Sequence, residues 1–161
     1  MHIRNLLSEH RGPSVRASMM LDLYGIPRDA PGFDTALEGV ARAEAVMRAI
    51  AERFNDPRFI PYLQIHEFEA LVFAAVDHLA VAGVDGPTRA ALAAEALPFA
   101  SPEEIDDGRE TAPSRRIKAR VPFYDKVLHG AEVTDACGLA TLRARCPRFR
   151  AWLARLEGAW T

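Results

Sequence analysis

Two short apolar runs, VRASMMLD (Val15–Asp22) and RFIPYLQI (Arg58–Ile65), with a helix-length segment between them, constrain this chain more than anything else in it. Runs of this length bounded by turn residues read as buried strands, although the first is also compatible with a helix. Leu23–Asp34 reads as a loop, punctuated by Gly25, Pro27, Pro31 and Gly32. Asp34 or Thr35 can cap the next helix, where Val40, Ala43, Met47, Ile50 and Phe54 recur at spacings of three and four. Asn55, Asp56 and Pro57 stop it. HEFEALVFAA then predicts a helix starting at once after the second strand. Strand, helix, strand, helix in close order predicts an α/β fold with a parallel sheet and flanking helices. Only two strands are legible, and two make a poor sheet, so others are hidden or a neighbouring piece is absent. Pro61 marks the second strand as an edge or an irregular one.

The first dozen residues read as an arm or a helix. Past Ala82 the signals turn helical, in TRAALAAEAL and GLATLRARC. Leu139, Leu142, Cys146, Phe149, Trp152 and Leu156 continue one stripe past Pro147, which predicts two helices with a bend and a helical C-terminal extension. Between these segments, Ser101–Gly130 is polar and turn-rich, with too specific a content for a simple linker.

The 161 residues fit one domain, able to bury about two thirds of the unfolded surface without disulfides. Cys137 and Cys146 belong to no CxxC pair and read as buried thiols of a reducing cytoplasm. The N-terminal stretch lacks a signal-peptide pattern, and no apolar run approaches the ~18 residues of a membrane span. The net charge of −2 hides an asymmetry: residues 1–109 carry 10 basic and 17 acidic residues, residues 110–161 carry 10 and 5. That split permits an anionic partner near the C-terminal part, while a solvated basic face is the plainer reading.

Several segments, in order, resemble the family known as domain of unknown function 4276, whose members look like divergent Toprim proteins. They are LDLYGIP (Leu21–Pro27), PGF (Pro31–Phe33), RFIPYLQIHEFEALVF (Arg58–Phe73), SPEEIDDGRETAPSRRI (Ser101–Ile117), YDKVLHG (Tyr124–Gly130) and CGLATLRARCPRFRAWLARLE (Cys137–Glu157). The resemblance implies a single Toprim/Rossmann-like domain over residues 1–161. Family members usually begin with a further strand carrying an EG-type glutamate motif, and none is legible before Val15. The sequence therefore resembles a member shortened at its N-terminus.

The candidate chemistry sits in four places. Asp22 ends the first strand, where open α/β sheets bind ligands and where a carboxylate can hold magnesium. It is equally a solvated turn acid, and Tyr24 stands where a Toprim pattern has a second acid. In HEFEA, His66 and Glu69 are three apart and converge on a helix, while Glu67 and Glu69 fall on different faces. A capped helix start explains the same acids, and Ala70 excludes a zinc-protease HExxH. Glu103, Glu104, Asp106 and Asp107 read as a solvated acidic face, or Glu103 or Asp107 completes a metal site. Arg109, Ser114, Arg115, Arg116 and Lys118 suit phosphate, or clasp the acidic run. Lys126, near Tyr124, Asp125 and His129, either neutralises a phosphate or pairs with a core-edge carboxylate.

The resemblance implies a metal-dependent nuclease or phosphodiesterase. Asp22, Glu67, Glu69 and His66 would be the catalytic residues, the three acids holding Mg2+, and Arg116, Lys118 and Lys126 would grip substrate phosphate. It also implies nucleic acid as substrate and an AAA/ABC-type ATPase of genome defence as partner, in the cytoplasm. The alternative is a non-catalytic interaction or regulatory subunit that retains the scaffold.

Overall fold

The computed structural model describes residues 3–12, 15–105 and 111–158. The chain divides into two compact units, one running to Ile65 and resuming at Ala151, the other spanning His66–Arg150. The architecture is mixed α/β, with one two-stranded parallel sheet and many helices.

In the first unit, helix α1 (Ile3–Glu9) precedes strand β1 (Ala17–Asp22), and helix α2 (Gly39–Phe54) leads to strand β2 (Phe59–Gln64). The strands run parallel, in register from Ala17 opposite Phe59 to Asp22 opposite Gln64. Both expected strands are present, and among the described residues there is no third. The Ala17 N–H donates to the Arg58 carbonyl at 2.9 Å. That bond fixes the parity of the ladder: Ala17, Met19 and Leu21 turn their backbone groups toward β2, and Ser18, Met20 and Asp22 turn theirs away. On β2 the same rule aims residues 59, 61 and 63 outward. Pro61 therefore removes no ladder bond, which explains how a fully buried strand tolerates it.

Side chains alternate accordingly. On one face, Leu7, Ala17 and Phe59 form a buried cluster with Met19, Ile50 and Phe54 around it. Leu63 joins Leu23, Ala43 and Val46 under α2. On the other face, Trp152 stacks on Tyr62 with ring centres 4.7 Å apart, and its indole N–H donates to the Ser18 hydroxyl at 2.9 Å. The stripe on α2 differs from the expected one at its start. Val40 is 43% exposed, and Val46 is buried in its stead. Neither Asp34 nor Thr35 caps the helix, which begins at Gly39 after Glu38. Asp34 Oδ1 instead accepts from the Ala36 N–H, closing a local turn. Gly32, at φ +76°, lies so near α2 that a Cβ would sit 2.5 Å from the Ala45 carbonyl oxygen.

The second unit holds α3 (Glu69–Ala74), a 3-10 turn (Val76–Ala82), α4 (Gly86–Ala96), a 3-10 turn (Pro102–Glu104), α5 (Pro113–Arg120) and α6 (Leu128–Arg145). It ends in the first residues of α7 (Pro147–Leu156). Every residue of α3 is buried. Gly138, with φ +77° and ψ 155°, breaks α6 into two helical pieces. Leu139, 55% exposed, leaves the expected stripe there, while Leu142, Cys146 and Phe149 keep it across the bend at Pro147. Among the described residues no helix is long and apolar enough to cross a membrane.

Candidate functional site

The first unit places Asp22 at the carboxyl end of β1, half-buried, directly before a 3-10 turn (Leu23–Gly25) that its side chain does not cap. Its register partner is Gln64, which is completely buried. Gln64 Oε1 accepts from the Tyr62 hydroxyl at 2.8 Å, and its Nε2 has no hydrogen-bond partner among the described residues. Sequence reasoning passed over Gln64. The signal was present, as a carboxamide inside an otherwise apolar strand, where each polar atom needs a partner.

The second unit gathers the acids of the HEFEA segment. His66 and Glu67 lie before the helix rather than on it, because α3 starts only at Glu69. The expectation of helical spacing between His66 and Glu69 is thereby corrected: His66 occupies a half-buried bend. Glu67 reaches across to α5, where its Oε2 accepts from the Ser114 N–H at 2.9 Å. Pro113 fills the first position of that helix and Ala112 cannot cap it, so Glu67 supplies a cap from a distant part of the chain.

Glu69 is the central group. It is wholly buried, and its Oε2 lies 3.0 Å from Lys126 Nζ, whose side chain is 43% exposed. Its Oε1 has no hydrogen-bond partner among the described residues. Burial raises its pKa above the ordinary glutamate value, and the Lys126 ammonium opposes the shift without cancelling it. The charge of Glu67 adds to the upward shift. Tyr124 completes the cluster. Its hydroxyl is buried without a hydrogen-bond partner among the described residues, and burial, then the charge of Glu69, push its pKa upward. Gly130 makes room for it, since a Cβ there would come within 2.9 Å of the Phe68 ring and 3.2 Å of the Tyr124 hydroxyl. Tyr124 entered the sequence reading only as a member of a polar cluster.

The remaining candidates are spent elsewhere. Arg116 donates to the Thr111 carbonyl at 2.6 Å and pairs with Glu95 at 3.4 Å, and Arg120 binds the same carboxylate. Lys118 is exposed. Glu103 is buried and caps α7, its two oxygens accepting from the N–H groups of Arg148 (2.9 Å) and Phe149 (3.0 Å). Just before that cap, the buried Cys146 thiol is pushed up to about 12, by burial first and then by the charge of Glu103. Asp106, Asp107 and Arg109 lie outside the described residues.

No three His, Cys, Asp or Glu side chains converge as a metal set among the described residues. A hard cation still fits the Glu67–Glu69 pair in donor chemistry: Glu67 engages one oxygen in the cap, and Glu69 Oε1 is a buried oxygen without a hydrogen bond.

Fold and site together describe a mixed α/β protein with a buried carboxylate–lysine cluster in its helical unit. The chain belongs to the family described as "Domain of unknown function (DUF4276)", which matches residues 1–157. No curated protein and no solved structure matches it.

Proposed function

We propose that this protein is a metal-assisted phosphodiester hydrolase acting on nucleic acid, with Glu67, Glu69 and Lys126 as its chemical centre. The observation that supports the reading is Glu69, a buried carboxylate whose Oε2 is ion-paired to Lys126 at 3.0 Å and whose Oε1 has neither hydrogen bond nor ion pair among the described residues, beside a second acid and a lysine that reaches solvent. Such a group binds its proton tightly when alone and gives it up to a cation. A bound Mg2+ would activate water and offset charge on the leaving oxygen. Glu67 and Glu69 would offer it oxygens. Lys126, anchored on Glu69, presents its ammonium where a phosphate approaches. The implied ATPase partner belongs to the same reading.

Calorimetric titration with Mn2+ tests it. One saturable site is expected, weakened about tenfold or more in Glu67→Gln and Glu69→Gln. Absence of binding to the folded wild-type chain would overturn the proposal. Asp22→Ala is a separate arm, and unchanged affinity there would remove Asp22 from the metal set. A second reading, an interaction subunit, draws on Glu67 and Glu103, each of which caps a helix. Variants at both positions that lose stability, in a protein that binds no metal, would favour it.

A further inference from the structure

We propose that the Tyr124 hydroxyl donates to a nonbridging phosphoryl oxygen of the substrate, which makes Tyr124 a substrate-binding residue beside Glu67, Glu69 and Lys126. The inference deepens the hydrolase reading and rests on it.

Tyr124 is buried, yet its hydroxyl has no hydrogen-bond partner among the described residues. An unpaired O–H inside a protein is destabilising, and phenylalanine would fill the same space without that cost. A hydroxyl kept in such a place points to an acceptor that arrives from outside. The acids around it do not serve. Glu67 Oε2 accepts from the Ser114 N–H, and Glu69 Oε2 faces Lys126. After burial, the charges of Glu69, Asp125 and Glu67 hold the proton on the tyrosine, so the group stays a donor.

Its position is set by Gly130. A Cβ there would stand 3.2 Å from the hydroxyl oxygen and 2.9 Å from the Phe68 ring, and Phe68 directly precedes Glu69. The hydroxyl is thus held beside the start of α3. Lys126 follows Tyr124 by two residues, in the turn before α6. The cluster therefore combines two carboxylates with two donors. A cation alone would leave the hydroxyl unpaired. A phosphate alone would meet the carboxylates. A phosphate that arrives with a divalent cation suits both halves, its oxygens toward the donors and the cation toward the acids.

Tyr124→Phe provides the test, with three readouts. In metal-free protein the variant should melt at the wild-type temperature or above, because it sheds an unpaired group. Calorimetric titration should give it the wild-type Mn2+ affinity. Its affinity for a thymidine dinucleotide, followed by the phosphorus NMR line in the presence of Mg2+, should fall about tenfold. Wild-type dinucleotide affinity in the variant would overturn the inference and leave the hydrolase reading intact, whatever the melting temperature. So would a wild-type chain that binds Mn2+ but no dinucleotide. A wild-type chain that binds no Mn2+ would overturn the reading itself, and this inference with it.

Discussion

Glu69 couples protonation to stability in an unusual direction for an acid. Its folded pKa lies above the ordinary glutamate value of 4.5, so the folded state holds the proton over a range where the unfolded chain has released it. Stability is greatest below that range and falls as pH rises through it. Urea unfolding of wild type and Glu69→Gln across acid to neutral pH should show this fall in the wild type only. Equal slopes would mean that Lys126 compensates the buried charge completely. Glu103 predicts a second effect. Glu103→Ala leaves two α7 N–H groups without their acceptor and should cost about 2 kcal/mol, while Glu103→Gln keeps an acceptor and should cost less. Gly130→Ala, pressed against Phe68 and Tyr124, should cost about 1–3 kcal/mol by the same assay. The acids themselves were legible in the sequence as a group. Their employment was not, because Glu67 meets Ser114 and Glu103 meets Arg148 across more than forty residues, and no local spacing encodes such pairs.

Elements were more legible than residues. Both strands, the α2 stripe and the bend at Pro147 follow from apolar periodicity, which acts over a few residues. The starts of helices did not follow. Asp34 invited a cap but closed a turn, and α3 waited until Glu69, because tertiary contacts decide which backbone groups find partners. Pro61 marks an edge or an irregular strand in the sequence; β2 is an edge strand with a regular ladder, because parity turns Pro61 outward and no ladder bond is lost. Trp152 ties α7 to the sheet by a stack and a hydrogen bond, and the two can be separated. Trp152→Phe keeps the stack and should cost about 1 kcal/mol. Trp152→Ala loses both and should cost about 3 kcal/mol in the same unfolding experiment.

At the scale of the whole molecule, the charge asymmetry of the sequence largely dissolves. The unit from His66 to Arg150 contains 11 basic and 13 acidic residues, so basic groups from the C-terminal part share a body with earlier acids. Arg116 and Arg120 meet Glu95, and Arg145 meets Asp77. The division into two units was not legible, since the second returns the chain to the first only at Ala151. Cys146 gives this architecture a clock. Its thiol is inaccessible and held in the unreactive protonated form at the α6–α7 junction. In a Cys137→Ser background, an alkylating reagent would therefore mark the chain only in the moments when that junction parts. The rate of labelling would count those openings one molecule at a time, and Glu103→Ala should make them more frequent.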